Sequence, residues 1–189
     1  YQIIDGKKVD VASKYVLTDG KVSFAFPNGF NSNYELVIDP SLIFYTYSGG
    51  INFSYYSYTS GYDNDGNMIT AGDAWGAGWP ITTGAYQTTY GGGSHETCIM
   101  KIKSDGTGIF WATYYGGSSW DLPHSVWVDD NFDVYVAGST QSSNLPMHAQ
   151  AFDNALGGSW DWYVCKISAN GAQLLGSTYL GGAGIDGQQ

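Results

Sequence analysis

Trp111-Ala112-Thr113-Tyr114-Tyr115-Gly116-Gly117 recurs as Gly176-Ser177-Thr178-Tyr179-Leu180-Gly181-Gly182, and an earlier copy stands at Phe44-Tyr45-Thr46-Tyr47-Ser48-Gly49-Gly50. The threonines of the three copies lie 67 and 65 residues apart. Asn67-Met68-Ile69-Thr70-Ala71-Gly72 matches Asp133-Val134-Tyr135-Val136-Ala137-Gly138, 66 residues apart at the glycines. Trp79-Pro80 matches Leu145-Pro146, Ala85-Tyr86-Gln87 matches Ala151-Phe152-Asp153, and Met100-Lys101-Ile102 matches Cys165-Lys166-Ile167. Anchors held at so nearly one offset define a repeat of about 66 residues, the signature of a repeat architecture.

Each repeat carries about four short β-type runs; in the second they lie near 109–114, 124–128, 133–138 and 162–167. The long stretch 139–161 between the last two is rich in Gly, Ser and Asn, and no segment keeps a helical period. Four strands per repeat is the arrangement of a propeller blade, whereas a parallel β-helix coil is shorter, on the order of 20–30 residues. The expected fold class is therefore all-β: β-propeller blades of four antiparallel strands in an incomplete ring. Two blades and a stub do not close a ring of roughly four to eight blades, so the chain is expected to be a piece of a longer protein. The repeat divides it into a first blade at 43–108, a second at 109–173 and the start of a third at 174–189.

Residues 1–42 read differently, as the end of a β-rich module. Asp5-Gly6 is a hairpin-turn dipeptide. Val9, Val11, Tyr15 and Leu17, then Val22, Phe24 and Phe26, then Tyr34, Leu36 and Ile38 alternate with mostly polar residues, which predicts a β-meander. The charge shifts here as well. Residues 1–21 carry a net +1 and residues 22–189 a net −11, which supports a boundary near Asp39-Pro40.

The whole chain of 189 residues has a net charge of −10, with seven lysines and no arginine, and 15 of its 17 acids are Asp. Phosphate backbones need a dense cationic surface, and base readout leans on arginine, so nucleic acid is excluded as a partner. An anionic membrane surface is excluded for the same reason, and no apolar run approaches the roughly 18–20 residues of a membrane helix. The chain starts at Tyr1 with no basic-then-apolar leader, so any signal peptide is expected to have been removed or to lie upstream. Cys98 and Cys165 lack metal-site spacing and fall in different repeats, which predicts two free, buried thiols.

Ser177-Thr178-Tyr179-Leu180-Gly181-Gly182, Val128-Asp129, Val134-Tyr135-Val136-Ala137-Gly138, Leu145-Pro146, Ala151-Phe152 and Val164-Cys165-Lys166-Ile167 together resemble the bacterial SBBP β-propeller repeat. That family usually places a Ser-Gly-Asn turn before its Val-Tyr-Val strand. Asp63-Asn64-Asp65-Gly66-Asn67 is close to it, whereas Asp129-Asp130-Asn131-Phe132-Asp133 has Phe132 where glycine is usual. Tyr1 to Lys7, with Leu36-Val37-Ile38-Asp39-Pro40-Ser41-Leu42, is similar to the β-rich module that precedes such repeats. The resemblance implies a secreted or cell-surface protein, frequent in Bacteroidota, where many members carry a C-terminal type IX secretion signal. It implies no reaction, and fold alone does not fix one.

Asp63, Asp65 and Asn67 place oxygens at alternate positions, as calcium loops do, but without the distal bidentate Glu. The same residues suit a tight hairpin turn, so calcium is a secondary expectation and no other cofactor is expected. Asp121 and Asp186 follow the Gly-Gly pairs, with Ser54 at the same place in the first copy, and suit caps on backbone N–H groups. Glu96 and Asp161 correspond just before the last strand run and read the same way. His95, His124 and His148 fall at unrelated repeat positions and read as packing residues. Trp111 and Trp127 lie in strand runs and are expected in the core between blades. Trp75, Trp79, Trp120, Trp160 and Trp162 lie in or beside Gly/Ser-rich loops, either sealing those loops or forming a binding patch.

The expected function is non-enzymatic: adhesion, scaffolding or recognition outside the cell, with a protein or glycan partner. A carbohydrate-binding module is the alternative. A glycosidase or lyase is a third reading, which needs acids from several blades to converge on the axis. Uncovered blade surfaces and strand edges predict association with further blades or another copy of the chain.

Overall fold

A computed structural model describes residues 1–18, 21–38 and 53–187. The chain forms two compact units, Tyr1–Ile43 and Phe44–Gln189. Among the described residues every regular element is a strand.

In the first unit, β1 (Gln2–Ile4) pairs antiparallel with β2 (Lys7–Val9), and β3 (Lys14–Thr18) with β4 (Lys21–Ala25). Asp5 and Gly6 both take positive φ, 51° and 75°, as the two-residue turn of a right-twisted hairpin requires. The alternating run Tyr34–Ile38 does not become a strand. It makes a bridge from Leu36 to Gln2, with the Val37 N–H donating to the Tyr1 carbonyl at 2.9 Å. The reason is Gln2, which is 1% exposed. Its amide nitrogen donates to the carbonyls of Asn31 and Tyr34 and its oxygen accepts from the Asn31 N–H, so the chain curls around that side chain. The boundary expected near Asp39-Pro40 lies outside the described residues.

The second unit holds two four-stranded antiparallel sheets. The first runs β5 (Phe53–Tyr62), β6 (Met68–Ala74), β7 (Glu96–Ile102), β8 (Ile109–Tyr115). The second runs β9 (Asp121–Val128), β10 (Val134–Thr140), β11 (Asp161–Ile167), β12 (Leu174–Leu180). Each has the strand count and order of a blade, and the two do not close a ring. Sheet and sequence repeat are out of phase by one strand. Ile109–Tyr115, which opens the second repeat, pairs with β7, and Leu174–Leu180 closes the second sheet instead of opening a third. The short turn 103–108 decides this: the Lys103 N–H donates to the Gly108 carbonyl at 2.9 Å, and a hairpin of that length leaves β8 nowhere to go but beside β7. The 44–50 copy of the defining stretch lies outside the described residues.

The main core lies between the sheets. Ile69, Ala71, Ile99, Trp111 and Tyr115 of the first meet Val134, Val136, Tyr163, Cys165 and Ile167 of the second. The other face of the first sheet, with Cys98, Met100 and Tyr114, is covered by the loop carrying Trp79 and Ile81. Trp111 is 3% exposed, as its strand position predicts, but Trp127 is 60% exposed. Val126 and Val128 pack on the core, so strand alternation turns Trp127 outward, against Tyr135 at 5.2 Å. Both thiols are free and buried.

Candidate functional site

One end of the second unit gathers the close of β6 and the starts of β7 and β9. Asp73 sits near the end of β6, fully buried, and its Oδ2 lies 2.5 Å from His95 Nδ1. The indole N–H of Trp75 donates to His95 Nε2 at 2.7 Å. An indole nitrogen only donates, so Nε2 carries the lone pair and Nδ1 the proton, which points at Asp73. The imidazole is thus fixed in one tautomer between a carboxylate and a tryptophan. Its ring lies over Trp120, with centroids 3.8 Å apart, and Trp120 meets Trp160 edge-on at 6.2 Å. The Asp121 N–H donates to the His95 carbonyl at 3.0 Å and ties the two sheets together there.

The result is a continuous row, Trp75–His95–Trp120–Trp160, that crosses from one sheet to the other. A cavity of about 410 Å³ opens beside Trp75, Ser94, His95 and Trp120. Trp75 is 57% exposed, so the row presents an aromatic surface to solvent.

Beneath the row lie two buried acids. Glu96 accepts from the Gly91 N–H at 2.6 Å and from the Gln87 amide. Asp121 accepts from Thr140 at 2.5 Å, the Gly117 N–H at 2.7 Å and Ser142 at 2.9 Å. Burial pushes the Glu96 carboxyl up to about 8, with Asp121 adding to the rise and the bonds from Gly91 and Gln87 opposing it. Burial likewise raises Asp121 to about 6 against its three hydrogen bonds. Gly116 passes between them: a Cβ there would stand 2.4 Å from Glu96 Cγ and 2.8 Å from Asp121 Oδ2. This accounts for the first glycine of the repeated Gly-Gly pair. Gly116→Ala is expected to cost about 1–3 kcal/mol through overpacking, whereas Gly184→Ala, with nothing within 4 Å of the added carbon, is near neutral. Thermal melting of the two variants checks this.

The expected caps take shape as read. The Gly182 N–H donates to Asp186 at 2.8 Å and the Gly157 N–H to Asp161 at 2.7 Å. The side chain of Ser54 lies outside the described residues. His124 bonds Ser139 at 2.8 Å, and burial holds it below its ordinary value.

The five tryptophans do not form one patch. Trp75, Trp120 and Trp160 join in the row. Trp79 does not: at 6% exposure it belongs to the core, with its backbone N–H donating to the Tyr114 hydroxyl at 3.1 Å. Leu145 does the same for the second sheet, its N–H bonded to Tyr179 at 3.2 Å, so the Trp79/Leu145 position is a plug beneath the loop. Trp162 lies on the outer face of the second sheet, edge-on to His124 at 5.3 Å.

The calcium expectation is also corrected. Asp63 Oδ1 accepts the N–H groups of Asp65 and Asn67, while Oδ2 takes the Asn67 amide and, at 2.8 Å, Lys101 Nζ. The ammonium stands where a cation would go and both carboxylate oxygens are committed, so these residues do not fit calcium. Asp129 repeats the arrangement with Lys166 at 2.9 Å. Among the described residues no cluster of three His, Cys, Asp or Glu is placed to hold a metal ion.

Sequence reasoning did not find the Asp73–His95–Trp75 chain, because Asp73 and His95 are 22 residues apart and share no motif. Their pairing follows only from the position of Asp73 opposite Thr97 in the β6–β7 ladder.

A family model described as a beta-propeller repeat (SBBP) matches residues 111–146. A second, described as a domain of unknown function (DUF7948), matches residues 1–41. No curated protein matches the chain.

Proposed function

We propose that this SBBP-type repeat protein is a non-enzymatic recognition module that acts outside the cell, in adhesion or scaffolding, and engages a protein partner through the row Trp75–His95–Trp120–Trp160. The carrying observation is the row itself: four rings in sequence across two sheets, beginning with the 57% exposed Trp75. Tryptophan is enriched among the residues that dominate binding energy at protein interfaces. The acids beside the row favour binding over catalysis. Glu96 and Asp121 are fully buried and their oxygens are engaged by backbone and side-chain donors. His95, which pairs with Asp73 as a general base would, has its other nitrogen engaged by Trp75 rather than by a nucleophile.

The test is binding to arrayed extracellular proteins and, in parallel, to arrayed glycans. Saturable capture of a protein, lost in Trp75→Ala, is the expected result. Capture confined to glycans and lost in the same variant replaces this reading with the carbohydrate-binding one. Turnover of an arrayed glycan would overturn the non-enzymatic reading.

A further inference from the structure

The far end of the same two sheets carries a different feature. Four hairpin turns there share one hydrogen bond, from the fourth residue's N–H to the first residue's carbonyl: Gly66 to Asp63, Gly106 to Lys103, Phe132 to Asp129 and Gly171 to Ser168, all at 2.8–2.9 Å. The fourth residue takes left-handed φ in each, at 78°, 71°, 64° and 73°. Glycine meets that demand in three of the turns, and Phe132 is the exception. A bulky residue in this region is an outlier, and such strain clusters at ligand clamps. Phe132 faces a cavity of about 440 Å³ that it shares with Phe110, which is 52% exposed.

The polar lining of the cavity narrows what it takes. Lys101 lies 5.3 Å from the Phe132 ring centre and 5.8 Å from that of Phe110, with its charge met by Asp63. A second cation would meet that ammonium across the rings. Asn67 is buried, donating to Asp63 and accepting from the Ser104 N–H. Two groups keep capacity at the mouth. The exposed Asp65 carboxylate is an acceptor that repels anions. The exposed Asn170 uses its oxygen on Ser168 and Ala172, which leaves its NH₂ to donate. Two aromatic walls with an acceptor and a donor at the rim suit a neutral ring with C–H faces and vicinal hydroxyls.

We propose that Phe110 and Phe132 form a clamp for a neutral saccharide ring, with its hydroxyls bonded to Asp65 and Asn170. This site is separate from the tryptophan row and does not depend on the recognition reading above.

Saturation-transfer NMR with cellobiose, maltose and lactose, each at millimolar concentration, tests it. The expected result is transfer to the ring C–H protons of at least one sugar. Affinity should fall at least tenfold in Phe132→Gly and in Asp65→Ala and stay unchanged in Trp75→Ala. Phe132→Gly installs the residue the other three turns use, so its melting temperature should not fall, which separates a lost site from a lost fold. Transfer to none of the three sugars overturns the proposal, as does transfer that survives Phe132→Gly or disappears only in Trp75→Ala. Tighter binding of tetramethylammonium or phosphate at this cavity overturns it too.

Discussion

Lys101→Met is expected to destabilise the two-sheet unit by about 3–5 kcal/mol, because it strands a charge that the fold has buried. Lys101 and Asp63 form a 2.8 Å ion pair with side chains only 8% and 0% exposed. Burial by itself would push the Asp63 carboxyl up, but the bonds from Lys101 and Asn67 outweigh it and hold the group below its ordinary value. A carboxyl held low stabilises the fold above its unfolded value and loses that contribution as pH falls through the folded one. Removing Lys101 takes that contribution away at neutral pH, so the deficit of the variant should shrink as the pH falls and Asp63 protonates in both proteins. Lys166 is the matched control: it pairs with Asp129 and Asp133 at 2.9 Å, but these side chains are 24%, 14% and 15% exposed. Lys166→Met is expected to cost clearly less than Lys101→Met, because all three side chains of its pair keep more contact with water. Urea denaturation of both variants checks the contrast, and equal losses would show that burial does not set the cost.

The second large effect is a loss of stability with rising pH. Glu96 titrates at about 8 in the fold, against 4.5 for the unfolded group. Between those values the folded protein holds a proton that the unfolded chain has released. Stability therefore falls as pH rises, by up to about 1.4 kcal/mol per unit. Asp121, raised to about 6, contributes in the same direction only at lower pH. His124 opposes it: its imidazole is held below 6.5, so it adds stability as pH climbs toward that value. Both of these have largely finished titrating by about pH 7.5, so the window from there to about pH 8.5 belongs chiefly to Glu96. The unfolding free energy should decline across it in the native protein and stay nearly flat in Glu96→Gln. A flat native profile would remove the buried-acid account of this junction.

The repeat made the strands legible. Val134 and Val136 point inward, as the alternation in their run requires, and the expected runs become β8 to β11 within a few residues. Phase was not legible, because a repeat has no intrinsic starting point and only the 103–108 turn fixes which neighbour β8 joins. Trp79 shows the limit for single residues. Composition placed it in a Gly-rich loop with Trp75, yet the loop folds back and buries one while exposing the other. Its alignment with Leu145, a position that calls for an apolar side chain, was the available signal. Phe132 was visible in the sequence as a departure from glycine, but its consequence required the φ of 64° and the cavity beside it. The calcium expectation failed because acidic turns look alike in sequence whether the cation that meets them is a metal or a lysine from a neighbouring strand.

The most direct measurement of the recognition account is the dissociation constant of the captured protein ligand for Trp75→Ala beside Trp162→Ala. Trp75 begins the row, and Trp162 is an exposed tryptophan on the outer sheet face. The account predicts a loss of about 30-fold or more in Trp75→Ala, the scale of a binding hot spot, and no change in Trp162→Ala. Equal effects, or a loss only in Trp162→Ala, would contradict it.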